Sequence, residues 1–490
     1  MRFERKLVAL VSVAAGCMNA VAQDSPVVTP AKPVTDTKSL YPPDRDYLQE
    51  RMELVRRTQV PNFDPFNMSN GWPTFLRVVS GSRGAMVFAT ASPGVKAWIA
   101  AEPQGSRSTQ DLLDAASGLC KAATPELIAE GRRFLDQYNE SPLAAELDML
   151  ADEPMFVPAG PMESPALLHL LPHLGDARQT ARICAARMSY ASIVGDEKAL
   201  IRAYSNVLAL SKPCSYEGYV ISSLVSNAID SLAYTRLTEV LRARPVSAAT
   251  LRELLRVTEA AQRAEWSISL DGERLSSLDS LNWVYVTSNF KMFEKLSSPS
   301  KSKLGDGLMD RLRTWTFAPR EESLAKLDEF FLSLRSAMDP DATVAADAVA
   351  KSEALVKELG ESPRYYPASI LMPAMVRTVQ VERMTRTSRS GMRLILAIEA
   401  FRTERGELPK TIEELSGILG KEPLLDWHDP VRLAPRYKAI DAAPGYVVYS
   451  VGRDGIDHGG IRDGANPTGE AGKGSPADCI LNWVEPTRVE

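Results

Sequence analysis

The sequence predicts a mainly α protein: an irregular helical bundle or helical-repeat-like body that carries a small α/β module at its C-terminus. Three observations predict it. Apolar residues recur at three- and four-residue spacing through most of the stretch from Ser164 to Met338, the period of an amphipathic helix. Caps and breakers punctuate that stretch at short intervals, as in Gly195-Asp196, Pro213, Pro245 and Asp339-Pro340. In the C-terminal part, strand character appears only after Gly406, around Tyr437 and at Tyr446-Val447-Val448-Tyr449.

The N-terminus is read apart from the fold. Arg2, Arg5 and Lys6 form a basic start, Leu7 to Met18 an apolar run and Ala20-Val21-Ala22 a small-x-small cleavage site, so residues 1–22 are expected to be a secretory signal peptide. The apolar run is shorter than the roughly 20 residues a membrane anchor needs. No integral membrane span is therefore expected after cleavage, and the mature chain would begin at Gln23. Gly16-Cys17 carries the alternative of a lipoprotein anchored through Cys17, for which Ala14 is a poor upstream residue. Asp24 to Pro43 holds five prolines and few large apolar residues, which reads as an extended linker over 23–43. A mostly helical domain is expected over 44–370, followed by a long helix and α/β module over 371–490.

Charge and cysteine usage exclude some classes. The 490-residue chain has a formal charge of −5, and loss of the signal, with three positive residues and one negative, makes it −7. A mildly acidic chain with interspersed signs and no basic stripe is not expected to bind nucleic acid. Cys120, Cys184, Cys214 and Cys479 remain after cleavage, an even set that allows three disulfide connectivities in an oxidising compartment. Cys184 lies among Ala181, Ala185 and Met188 on an apolar helix face, where a buried free thiol is at least as expected as a bridge.

Element by element, helices are expected around Tyr47 to Arg57, Asp111 to Lys121 and Pro125 to Gln137, with a strand at Gly84 to Thr90 (GAMVFAT). Leu200, Tyr204, Val207 and Leu208 mark a helix capped by Asp196 and closed at Pro213. Ile221 to Leu241 presents one broad apolar face, and Ser247 caps a third helix through Leu251, Leu254, Leu255 and Thr258. Short turns would make these three antiparallel neighbours. No 34-residue self-similarity supports a tetratricopeptide array. Leu324, Leu327, Phe331, Leu334 and Met338 extend the helical theme to Asp339-Pro340.

Catalytic signatures are sparse: G-x-S-x-G, H-E-x-x-H and G-x-G-x-x-G do not occur, and Gly472-Lys473-Gly474 lacks the spacing of a phosphate loop. Ser298 with Lys301 and Ser288 with Lys291 match S-x-x-K without a partner motif, and no catalytic residue is assigned. His169 and His173 are four apart, but Pro172 between them breaks the helix that would align them on a metal, so both read as packing or surface histidines.

The C-terminal module carries the strongest pattern. A long helix from Met375 to Glu404 has Val376, Val379, Leu394, Ala397, Ile398 and Phe401 as its stripe, and Gly406 ends it. Leu408-Pro409, a short helix from Ile412 to Leu419 capped by Thr411, two strands, a Gly/Asp-rich loop from Ser450 to Gly464 and Asp478-Cys-Ile-Leu-Asn-Trp483 follow. The order of AIEAFRTERGELP, YVVYSVGRDGIDHGG and the closing Asp-x-x-x-Asn-Trp resembles the C-terminal domain of the type II secretion major pseudopilin. Similar modules occur in uncharacterised exported protein families of planctomycete-like bacteria with helical N-terminal parts, which this chain resembles. Residues 140 to 370 stand where a pseudopilin has its prepilin site and fibre-forming helix, so what the resemblance implies is a fold rather than polymerisation. It also implies calcium in the loop after the last strands. The oxygen donors there are Ser450, Asp454, Asp457, Asp463 and Asp478, hard ligands of the kind calcium takes, although ordinary Asp-Gly turns need the same residues.

Together these features lead to the expectation of an exported periplasmic or cell-envelope protein whose helical scaffold binds a protein partner. The alternatives are an envelope hydrolase that uses scattered carboxylates, or an accessory component related to type II secretion.

Overall fold

The computed structural model describes residues 42, 45–59, 70–91, 95–96, 109–119, 123–158, 164–261, 263–291, 316–370, 372–441, 444–460 and 478–482. The signal segment with Cys17, most of the Pro-rich linker, Cys120, Ser298, Lys301, Asp463 and Trp483 lie outside them. Among the described residues the protein is mainly helical, with one small antiparallel sheet near the C-terminus. The helices are α1 Tyr47–Gln59, α2 Trp72–Thr90, α3 Thr109–Ala116, α4 Pro125–Asn139, α5 Pro142–Leu150, α6 Pro172–Val194 and α7 Glu197–Tyr216. They continue with α8 Val220–Ala243, α9 Ala248–Ala260, α10 Trp266–Thr287, α11 Arg320–Arg335, α12 Ala342–Glu361, the short α13 Tyr366–Ser369 and the long α14 Pro373–Arg405. Strands β1 Arg436–Ala439, β2 Tyr446–Ser450 and β3 Cys479–Ile480 form the sheet in that order. Among the described helices none is long and apolar enough to cross a membrane.

Local chemistry explains the boundaries. Gly195 takes the left-handed conformation (φ +79°) that closes α6, and the Asp196 carboxylate then accepts the Ala199 N–H at 2.9 Å to open α7. Ser247 caps α9 in the same way, through Thr250 N–H at 3.3 Å. Gly406 (φ +79°) ends α14 as its position after the periodic stripe predicts.

Several expectations are corrected. Gly84 to Thr90 is the end of α2 rather than a strand: Phe75, Val78, Val79, Ser82 and Met86 are buried at helical spacing, and that register leaves Val87 and Phe88 64% and 84% exposed. The helix expected to reach Lys121 stops at Ala116, where Gly118 turns at φ +73°. Pro213 does not close α7. It sits in the last turn, where a missing N–H forgoes only one hydrogen bond, and the helix runs on to Tyr216. The segment after Thr411 is a 3-10 turn over Ile412–Leu415 without a side-chain cap. Helices α7 and α8 are neighbours as expected, but α9 packs chiefly on α14 and α7.

Two apolar cores meet along α14. The larger runs from Trp72, Phe75 and Val79 through Ala181, Met188, Tyr204, Val225, Leu237 and Leu254 to Leu394, Ile398, Tyr446 and Val448. Helical body and sheet therefore share one interior. The second joins Tyr47, Leu270, Leu281, Leu327, Phe330, Phe331 and Leu359 to Val379 in the first half of α14. Each such buried side chain contributes about 1.5–3 kcal/mol relative to exposure, so dividing the chain at α14 would expose a costly surface. A third, smaller cluster around Leu112, Leu113, Phe134 and Leu135 packs α3 and α4 on Ile183 and Ala186 of α6.

Candidate functional site

The sheet places the Gly/Asp loop. Tyr446 pairs with Ala439 and Tyr449 with Arg436, while Ser450 pairs with Cys479, so the loop leaves β2 beside the strand that follows Asp478. Asn482 locks this corner, accepting the Val448 N–H at 3.0 Å and donating to the Tyr446 carbonyl at 3.1 Å. Strand β3 has only two residues, too few for a periodic signal in sequence.

Each described donor of the expected calcium set has a partner. Asp478 accepts the N–H groups of His458 at 3.2 Å and Gly460 at 2.7 Å. Asp454 accepts the Ile456 N–H at 3.1 Å. Asp457 accepts the Gly459 N–H at 2.8 Å and the Tyr449 hydroxyl at 3.1 Å. Burial works against ionisation of Asp457, but those donors and the Arg436 guanidinium hold its carboxyl below the usual carboxylate range. Ser450 turns the other way and donates to Asp426 at 2.9 Å. The loop does draw Asp454 and Asp478 toward one point, and the His458 imidazole stands there, 4.0 Å from Asp454 and 3.7 Å from Asp478. As arranged, these donors hold N–H groups and an imidazole. Among the described residues no three His, Cys, Asp or Glu side chains converge as a metal-holding group. Asp463 lies outside the described residues.

Asp426, which has no periodic or motif signal, organises the base of the module. Its carboxylate accepts from Ser450, from the N–H groups of His428 and Val451 at 3.0 Å each and from Thr387 of α14 at 3.3 Å. Burial pushes its carboxyl up from the ordinary value despite those hydrogen bonds. Next to it, Trp427 is flanked by the guanidinium groups of Arg386 and Arg432, each 5.0 Å from the ring centroid, a cation–π arrangement.

A charged seam binds α14 to the body. Arg263, between α9 and α10, lies 3.1 Å from Asp230 of α8 and 3.6 Å from Glu382 of α14, and it also donates to Asn227. Burial raises the Asp230 carboxyl against the pull of Arg263. Burial opposes the charge of Glu382 too, but Arg263, Arg386 and Asn227 hold its carboxyl below the ordinary value. Further along, Arg393 of α14 reaches Glu259 at 3.1 Å and the Glu422 carbonyl at 2.7 Å. These partners are far apart in sequence, and only packing reveals them.

His169 and His173 do not share a helix face: His169 follows the 3-10 turn Ala166–Leu168, and α6 begins at Pro172. His173 packs edge-on against Trp72 and Phe75, with Nε2 3.2 Å from the buried Glu217 carboxylate. Burial disfavours the charge on Glu217, but His173, Ser222 and Arg51 keep its carboxyl below the ordinary range. Arg51, fully buried, stacks 3.5 Å from the centre of the Tyr219 ring and donates to the Gly218 carbonyl at 3.1 Å. Cys184, Cys214 and Cys479 are free, buried thiols.

The polar groups thus serve chiefly to fasten elements to one another. No family model, curated protein or solved structure matches this chain.

Proposed function

We propose that this is an exported protein of the periplasm or cell envelope that binds a protein partner, with the helical body as scaffold and the C-terminal module as its rigid appendage. The observation that carries the reading is α14, a 33-residue helix whose first half packs in one core and second half in the other. Such a construction holds two surfaces at a fixed separation, which lowers the ordering cost of binding a partner that touches both. Co-purification from envelope extracts with mass spectrometry tests it. A reproducible protein partner is the expected result, and a preparation that captures none under crosslinking would sink it. Intact mass of the native protein tests export, with a chain beginning at Gln23 expected and a lipid adduct on Cys17 marking the lipoprotein alternative.

Calcium at the Gly/Asp loop belongs to the same proposal and rests on the pseudopilin resemblance. What supports it is the approach of Asp454 and Asp478 to a single imidazole across 24 residues of chain. A cation there would need His458 to move aside. A role as an accessory of type II secretion rests on the resemblance alone.

The hydrolase reading has one specific observation in its favour, the opposite shifts of Asp230 and Glu382, a pattern that acid–base pairs use. Both carboxylates are nevertheless turned to Arg263 in the interior, 1% and 2% exposed, where they tie α8 to α14. The scaffold reading accounts for them without a substrate.

A further inference from the structure

A cleft of about 260 Å³ opens where α12, α14 and the turn after β2 come together, lined by Glu353, Val356, Val376, Arg377, Gln380 and Arg453. Glu353 and Val356 lie one turn apart on α12, and Val376 and Gln380 one turn apart on α14, so two helix faces make opposite walls. Arg453 closes the third side from the turn that follows β2. Nothing in the scaffold reading uses this space.

Its charges are unbalanced. The Arg377 and Arg453 side chains make no hydrogen bond or ion pair with any described residue. The next position along the same face of α14 is Arg383, which donates to the Ala337 carbonyl at 2.9 Å while its buried Nε has no partner among the described residues. Gln380 likewise has a buried amide oxygen without a partner. An amide can turn end for end and offer either a donor or an acceptor. Glu353 is the one acidic side chain in the lining. Two unpaired guanidinium groups with a third behind them favour an oxyanion, because planar N–H forks match carboxylate and phosphate oxygens.

We propose that this cleft binds a small molecule bearing a carboxylate or phosphate group, with Arg377 and Arg453 as its two anion-holding residues. The valines pack the apolar part of the ligand, and Gln380 and Glu353 meet its hydrogen-bond donors. The volume lies below the roughly 300–1,000 Å³ of sites for drug-sized molecules, so the occupant is of small-metabolite size. The site is independent of any protein partner, and its failure would leave the scaffold reading untouched.

Calorimetric titration of the full-length protein with inorganic phosphate and with acetate, at constant ionic strength in chloride, tests the site. Saturable binding of one anion per chain is expected, the tighter of the two probes naming the headgroup. Arg377→Gln and Arg453→Gln each weaken it about tenfold or more, the worth of a hydrogen bond to a charged group. The double variant abolishes it, and Glu353→Gln tightens it by removing the repelling charge. Both arginines are exposed and unpaired among the described residues, so melting curves of the variants without anion should match the wild type. No saturable uptake of either probe by the wild type, or equal affinity in a folded double variant, overturns the proposal.

Discussion

The Asp478 carboxylate accepts the backbone N–H of Gly460 at 2.7 Å and so pins the tail strand to a loop eighteen residues earlier in the chain. Its other oxygen takes the His458 N–H, and the side chain is shielded from solvent. Asp478→Ala would leave two N–H groups without their acceptor, each worth about 1–3 kcal/mol when buried. Urea denaturation should show a loss of roughly 2–4 kcal/mol for Ala and a smaller one for Asn, which retains one acceptor. Equal stability of the Ala variant and wild type would show that the loop does not depend on this anchor.

Calcium, acting on the same corner, is expected to raise the melting temperature of the wild type above that in chelator, and Asp454→Ala to remove the difference. At a hundredfold excess over Kd the added stability is about 2.7 kcal/mol. Identical melting of the wild type in both buffers leaves these aspartates with His458 and the backbone amides as their partners among the described residues.

Acid should weaken the protein through His428. Burial, followed by the charges of Arg383, Arg432 and Arg453, lowers its pKa from 6.5 to about 4. The folded state thus resists a proton that the unfolded chain accepts, so stability is full above pH 6.5 and falls as the pH drops toward 4. The loss approaches about 3 kcal/mol at the lower limit. Compared with wild type, His428→Gln should show a shallower decline across that window in pH-dependent melting. Parallel curves would assign the decline to other groups.

The seam offers a cycle of variants. Arg263→Met leaves Asp230 and Glu382 buried around a missing cation and should cost about 3–5 kcal/mol. Adding Asp230→Asn and Glu382→Gln removes the stranded charges and should restore much of that stability, as measured by urea denaturation. A triple variant no better than the single would mean that the shape of Arg263, rather than its charge, fills the seam.

Two helix glycines predict opposite outcomes. A methyl at Gly272 would lie 2.1 Å from the Gly218 carbonyl oxygen, a backbone atom that cannot step aside, whereas one at Gly360 meets nothing within 4 Å. Gly272→Ala should destabilise by about 1–3 kcal/mol through overpacking. Gly360→Ala should stabilise by up to about 1 kcal/mol through helix propensity. Thermal melts of the pair, set against wild type, decide whether the close crossing of α10 at Gly218 is as tight as described.

The sequence by itself determined the elements whose causes are local. Period-3.6 stripes and the caps at Asp196, Ser247 and Gly406 placed α7, α8, α9 and α14, and the run of aromatic and β-branched residues at Tyr446 to Tyr449 placed β2. Where several apolar residues stand consecutively, as in GAMVFAT, period 2 and period 3.6 give the same local pattern, and burial of Met86 in register with Val78 and Ser82 upstream resolved it as helix. Strand β3 and the shape of the Gly/Asp corner depend on Asn482 and Asp478 meeting backbone groups more than fifteen residues away. Only the tertiary structure decided that Asp426 ties Ser450 and Val451 to the base of the module, that Arg263 and Glu382 share a seam, and that Arg377 and Arg453 flank one cleft. The physical reason is that a cap or a stripe acts within one or two turns of chain, while an ion pair or a cleft exists only once distant segments have packed, and one sequence carries no periodic mark of which segments those will be.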